Sequence, residues 1–236
     1  MSAIQGARER ARREVTAAIK DEARRQLAAE GAAKLSLRAV ARELGLASSA
    51  LYRYFPSRDD LLTALIVDAY DAVGESAERA LAETDAAPAA RWTAVCRAIR
   101  SWALGHPHEY ALIYGSPVPG YAAPQATIGP ASRVGLALIG VVEDANQAGV
   151  FPAYDGPPPP QEVLDDAERL RETLGARLPA PILTEVIAAW AELFGLVGFE
   201  LFGQFNRVVD ARDAFFDRAV ARLAQGIGLP ADERSL

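Results

Sequence analysis

The sequence predicts an all-α chain, a three-helix head followed by a larger helical body. Apolar residues recur at spacings of three and four in almost every segment. Serines precede these runs and glycines or prolines follow them, where helices start and stop. No run alternates apolar and polar residues as a half-buried strand would, and there is no internal repeat.

In the first segment Val15, Ile19, Ala23 and Leu27 recur every fourth residue, and Gly31 closes it. Leu37, Val40, Ala41 and Leu44 then fall at i, i+3, i+4 and i+7 behind Ser36, a good N-cap, until Gly45 breaks the pattern. A short third segment holds Leu51, Tyr54 and Phe55 on one face before Pro56 stops it. Ser57 and Asp60 have capping-box spacing for a fourth helix through Leu61, Leu65, Ala69 and Val73.

In the body, Trp92, Val95, Cys96, Ile99 and Trp102 form one stripe. His106 and His108 flank Pro107 and read as helix-start residues. Residues 115–130, with Pro117, Pro119, Pro124 and Pro130, read as loop or broken helix. Val134, Leu138, Val141 and Ala145 mark another helix. Gly156 and the prolines 157–160 form an extended surface connector. An acidic amphipathic helix follows through Val163, Ala167, Leu170 and Leu174. Ile182–Phe205 is apolar nearly all round, with Glu185, Glu192 and Glu200 expected on one narrow face. Three glutamates make it a poor membrane span, so no membrane is expected. The expectation is a helix buried on one side by its own domain and on another by a second subunit. A last helix carries Phe216, Val220, Leu223 and Ile227.

Charge is unevenly divided. Residues 1–58 carry 12 Lys and Arg against 6 Asp and Glu, whereas the remainder carries 13 against 25. A basic head on an acidic body suits a polyanionic partner for the head. Cys96 is alone, so no intramolecular disulfide forms. One cysteine and two histidines are too few for a conventional structural zinc site, and neither metal nor cofactor is expected. No apolar signal core follows Met1, which suggests a cytoplasmic address.

The compact unit Leu35–Leu61 reads LSLRAVARELGLASSALYRYFPSRDDL. Two short helices meeting at a glycine, the second closed by proline, have helix-turn-helix spacing. The turn needs a residue with φ > 0, which glycine adopts freely. Leu51 and Phe55 would anchor the second helix, leaving Ser48, Ser49, Tyr52 and Arg53 exposed. Small hydroxyls let backbone approach base edges, arginine reaches guanine or phosphate, and tyrosine reaches phosphate.

The run Gly45-Leu46-x-x-x-Ala50-Leu51-Tyr52-x-Tyr54-Phe55-x-Ser57-Arg58-Asp59-x-Leu61, with Leu35-Ser36-Leu37-Arg38-x-Val40-Ala41 before it, resembles the tetracycline-repressor (TetR) family signature over about residues 10–65. The resemblance implies that Tyr52 and Tyr54 contact phosphates or flanking bases. It implies that Arg58 faces the DNA backbone and that Ser36 and Arg38 touch phosphate from the helix before the turn. Ala47 departs from the family, which usually has Ser or Thr there, and Ser48 or Ser49 could compensate. Further on, His106-Pro107-x-Glu109-Tyr110-x-Leu112-Ile113-Tyr114-Gly115-x-Pro117-Val118-Pro119-Gly120-Tyr121 and Trp190-x-x-x-Phe194-Gly195 resemble the WHG-type C-terminal domain of that family. Phe194 stands where that domain usually has histidine.

These readings give a DNA-binding domain at 1–56 and a ligand-binding and dimerisation domain at 57–236. The implied function is a transcriptional repressor binding a palindromic double-stranded operator as a homodimer and released by an unidentified small apolar or aromatic molecule. The molecule is expected between the helices starting near Trp92, Pro107, Ala131 and Ile182, against Trp102, Tyr110, Tyr114, Tyr121, Trp190 and Phe194. Gly195, Leu196, Phe199 and Gly203 are the expected dimer contacts. The alternatives are a helical enzyme and a DNA architectural protein without a ligand. The first is weakened because no nucleophile elbow, phosphate loop, dinucleotide fingerprint or metal motif is present.

Overall fold

The computed structural model of the chain describes residues 3–151 and 158–230. Its elements are α1 (Ala3–Glu30), a 3₁₀ turn (Ala32–Lys34), α2 (Leu37–Glu43), α3 (Ser48–Leu51), α4 (Arg58–Glu83), α5 (Pro88–Gly105), α6 (Pro107–Tyr114), a 3₁₀ turn (Gln125–Thr127), α7 (Ile128–Gln147), α8 (Gln161–Leu174), α9 (Ala180–Leu201) and α10 (Arg212–Ile227). The expected all-α class is what the described residues adopt, without a strand among them.

The chain divides into two units, Met1–Tyr70 with His106–Ile128, and Asp71–Gly105 with Gly129–Leu236. In the first, the stripe Ile19, Ala23 and Leu27 of α1 meets Val40, Ala41, Leu51 and the α4 residues Leu61, Leu62 and Leu65 in one core. Each such leucine contributes about 1.5–3 kcal/mol by leaving water. Charge supplements this core. Asp68 of α4 accepts from Lys20 at 2.8 Å and Arg24 at 2.7 Å, and Arg24 also lies 3.1 Å from Glu109 of α6. The α6 segment therefore belongs with the head's helices. His106 is its N-cap and Pro107 opens it, where a missing N–H costs nothing.

In the second unit α9 packs against α8 and α10, and α5 packs on both α9 and α10. Trp92, Ile99, Leu138, Leu183, Leu193 and Val220 are fully buried there. One charged centre sits in this core. Arg100 of α5 donates to both oxygens of Glu200 on α9 at 2.7 Å, lies 2.8 Å from Asp213 of α10, and stacks 4.9 Å from the centre of the Phe216 ring. A second arginine, Arg133 of α7, grips Glu78 and Asp71 on α4. Gly74 makes room for it, since a Cβ at that position would lie 2.7 Å from Arg133 Cβ.

Several expectations change here. α7 starts at Ile128, so Pro130 lies inside its first turn, where proline is tolerated. α9 ends at Leu201, and Phe202–Val208 form a turn in which Gly203 has φ +86°. Of the three α9 glutamates expected on one face, Glu200 is buried on Arg100, whereas Glu192 is exposed and lines the groove between α9 and α10 together with Glu185. Pro158–Pro160 carry no regular structure, and Pro160 is the N-cap of α8. Gly156 and Pro157 of the expected connector lie outside the described residues.

Candidate nucleic-acid interface

The interface is built from local sequence signals. Ser36 caps α2 by accepting the Ala39 N–H on its Oγ at 3.4 Å. At the other end Gly45 takes φ +64° and donates to Arg42 O, while Leu46 donates to Ala41 O. This pair of bonds closes the helix and reverses the chain only with a left-handed residue between them. α3 follows from Ala47, whose side chain offers no cap, and neither Ser48 nor Ser49 supplies one. Its single turn continues through Tyr54 and Phe55, whose N–H groups both donate to Leu51 O. Ser57 accepts the Asp60 N–H at 3.1 Å and donates its hydroxyl to the Asp60 carboxylate at 2.7 Å, so half of the expected capping box forms at the backbone.

Leu51 and Phe55 are buried, as their anchoring role requires, and Ser48, Ser49, Tyr52 and Arg53 are all exposed. Ser36, Arg38, Tyr52 and Arg58 converge on one open notch of about 460 Å³, floored by Leu35 and Leu37. Arg38 and Arg53 have no ion pair among the described residues, so both guanidinium groups are open to a partner.

Two residues of the expected set stand differently. Tyr54 is half-buried against the core of the first unit, with the Arg12 guanidinium 5.4 Å from its ring centre. Arg58 donates to Ala32 O at 2.8 Å, Leu35 O at 3.2 Å and Ala33 O at 3.4 Å. Its guanidinium satisfies the carbonyls that end the 3₁₀ turn and holds that turn to the start of α4. Its charge is shared with the Asp59 carboxylate 3.3 Å away, and it offers the notch no free hydrogen-bonding edge like that of Arg38.

The expected ligand residues fall into two sets. In the first unit Tyr110 and Tyr114 lie 5.2 Å apart, and Tyr114 meets Tyr70 edge-on at 5.8 Å. Tyr70 donates to Ile113 O at 3.3 Å, and the Tyr121 hydroxyl bonds the Thr63 hydroxyl at 2.9 Å. Burial pushes the phenols of Tyr110, Tyr114 and Tyr70 upward, and Tyr121 adds to the shift of Tyr70. All three are therefore neutral hydrogen-bonding groups at neutral pH. In the second unit Trp102 is buried on α5, while Trp190 and Phe194 lie 5.7 Å apart on α9, with Trp190 41% exposed. Thr63 and Tyr70 were not among the residues expected from sequence. Both sit on the fourth helix at ordinary surface spacing, and nothing local marks them.

Gly195, Leu196 and Phe199 line an open groove of about 570 Å³ between α9 and α10, together with Phe205 and Phe215. Gly203 does not line it and serves the turn after α9 instead. No group of His, Cys, Asp and Glu able to hold a metal occurs among the described residues.

Comparison with known proteins bears on both halves of the chain. A family described as bacterial regulatory proteins, tetR family, matches residues 19–65, and a tetracyclin repressor-like C-terminal domain matches residues 92–223. The chain is 42% identical over 209 residues to the HTH-type transcriptional regulators Rv1816 of Mycobacterium tuberculosis and Mb1846 of Mycobacterium bovis, covering 85% of this chain and 86% of theirs. The crystal structure of SCO4313, described as a regulatory protein, superposes with a TM-score of 0.74 at 34% identity, over 92% of this chain and 98% of that one. PfmR, a TetR family transcriptional regulator from Thermus thermophilus, shares the fold at a TM-score of 0.58 and 16% identity, over 91% and 99% of the two chains.

Proposed function

The chain belongs to the TetR family of DNA-binding transcriptional regulators, not to an enzyme class, and on that premise we propose that it is a cytoplasmic, homodimeric repressor released from a palindromic operator by a small apolar or aromatic molecule. One observation carries the DNA side of this reading: Ser36, Arg38, Tyr52 and Arg58 line a single notch beside the exposed Ser48, Ser49 and Arg53. The notch seats a backbone phosphate, and the serines with Arg53 face base edges. Arg58 acts there mainly by holding the turn. Residues 1–56 form the DNA-binding domain and 57–236 the ligand-binding and dimerisation domain.

Dimerisation uses the α9–α10 groove. Phe199 is 54% exposed and Phe215 40% exposed, an apolar surface that a second copy would cover. A two-fold axis presents two recognition segments to two half-sites about one duplex turn apart. The candidate ligand contacts are Tyr110, Tyr114 and Tyr121 within the first unit and, separately, Trp102, Trp190 and Phe194 within the second. The phenols of Tyr110 and Tyr114, pushed upward by burial, are suitable polar handles.

Release follows only if the ligand prefers a conformation that DNA disfavours. A coupling of about 1–3 kcal/mol lowers DNA affinity roughly 5–150-fold, and linkage requires DNA to weaken the ligand by the same factor. The test begins with duplexes selected by the protein from a randomised library and a thermal-shift screen of apolar and aromatic small molecules. The affinity of each hit is then measured with and without the selected duplex. Equal affinities in the two conditions would remove the sensor and leave an architectural DNA-binding protein.

A further inference from the structure

The helix α1 outruns the core it serves. Val15 and Thr16 are half-buried, but Ala7–Glu14 are all exposed, so about 12 Å of helix projects beyond the packed part. The buried stripe Ile19, Ala23 and Leu27 continues along this projection on the same face. At about 100° per residue, Arg12 and Arg8 lie within roughly 20° of Ile19. The face that packs against the helix-turn-helix therefore continues outward as arginine.

A second observation fixes where that face leads. The Arg12 guanidinium lies over the Tyr54 ring, on the turn that continues α3. Arg8 stands one helical turn further out. Arg12 and Arg13 also border a hollow whose other cations, Lys20 and Arg24, are already paired with Asp68. Among the described residues Arg8, Arg10, Arg12 and Arg13 have no ion pair. An exposed stretch of helix that carries four unpaired arginines against two glutamates, Glu9 and Glu14, beside the recognition segment is arranged for a polyanion running past that segment.

We propose that the α1 projection is a second DNA contact, in which Arg8 and Arg12 take backbone phosphates flanking the sequence read by α3. The proposal rests on the DNA-binding reading of residues 36–58. It assigns the arm to affinity and position, with no part in base choice, because arginines on a free helix meet phosphate irrespective of sequence.

The experiment uses the full chain and a duplex selected from a randomised library, in two lengths: trimmed to the enriched core, and with one further helical turn of flank at each end. Wild type should bind the flanked duplex more tightly. Arg8→Ala/Arg12→Ala should abolish that advantage and flatten the slope of log K against log salt by about 0.9 for each phosphate no longer neutralised. Arg8→Lys/Arg12→Lys should restore most of both, and base preference within the core should not change. Arg8→Ala alone keeps the test clear of folding, because Arg8 makes no hydrogen bond or ion pair among the described residues. An unchanged slope and an unchanged flank advantage in both alanine variants would overturn the proposal. So would binding of the arm to anionic vesicles with DNA affinity untouched. If wild type enriches no sequence at all, the reading beneath the proposal fails, a result distinguishable from failure of the arm alone.

Discussion

Replacing Arg100 by methionine removes the cation at the centre of the second unit and leaves the Glu200 carboxylate behind. The two side chains are only 13% and 7% exposed, and two parallel hydrogen bonds of 2.7 Å join them. Breaking a buried pair on one side costs about 3–5 kcal/mol, chiefly through the charge left without a partner. For a chain of this size each kcal/mol moves the melting midpoint by about 2–4 °C, so a fall of roughly 6–20 °C is expected. Arg97 supplies the internal comparison. It pairs with Asp217 at 2.7 Å, but its side chain is 59% exposed and its partner's 40%. Such a pair contributes at most about 1 kcal/mol, so Arg97→Met should move the midpoint by only a few degrees. The assay is thermal unfolding followed by circular dichroism at one fixed protein concentration, since association shifts the midpoint by mass action. Arg100→Met/Glu200→Leu should recover most of the stability, because an apolar pair of similar volume substitutes well for a buried ion pair. Equal, small effects for Arg100→Met and Arg97→Met would refute the reasoning.

At the α9–α10 groove, Leu196→Glu or Phe199→Glu should leave a monomer at micromolar concentration by light scattering, with specific DNA binding abolished and helical content kept. In the recognition segment, Arg53→Ala and Ser49→Ala should change which bases a selected duplex carries, at about 1–3 kcal/mol per base read, while the salt slope changes little. Acid should weaken two ion pairs. The Arg133 hydrogen bond holds the Glu78 carboxyl below the usual carboxylate range, and Arg97 does the same for Asp217. A carboxyl depressed in the folded state contributes stability above its unfolded pKa of about 4.3 for Glu or 3.9 for Asp and loses it as pH falls through the folded value. Both groups are well exposed, so each contribution is at most about 1 kcal/mol. Chemical denaturation at pH 6 and pH 3 should therefore show a smaller acid effect in Arg133→Met than in wild type.

Where the sequence was legible, the signal was local. Ser36, Gly45 and the i, i+3, i+4 run between them specify a capped helix and a left-handed turn without help from distant residues. Leu51 and Phe55 point inward because their spacing puts them on one face, and Ser48, Ser49, Tyr52 and Arg53 are then outside. Tyr54 and Arg58 were not legible in the same way. The carbonyls that hold Arg58 come from residues 23 to 26 positions earlier, and Arg12 meets Tyr54 from another helix. Aromatic spacing likewise marked Tyr110 and Trp190 as notable but could not assign them to different units, because α6 joins the first unit although chain neighbours on both sides join the second. Glu200 and Glu192 differ by eight positions on one helix, and only Arg100, a hundred residues away, turns one of them into a core residue.

The proposed function rests most directly on the notch lined by Ser36, Arg38, Tyr52 and Arg58 as a phosphate seat, and the salt dependence of DNA binding tests it. Arg38 and Tyr52 are the residues to change, since Arg58→Ala would also release the turn at Ala32–Leu35. On a duplex selected by the wild type, fluorescence anisotropy across a salt series should give Arg38→Ala/Tyr52→Ala a weaker affinity. The slope of log K against log salt should be shallower by about 0.9 for each phosphate no longer neutralised. Affinity and slope equal to the wild type's, in a variant that remains folded and dimeric, would contradict the assignment of residues 36–58 to DNA.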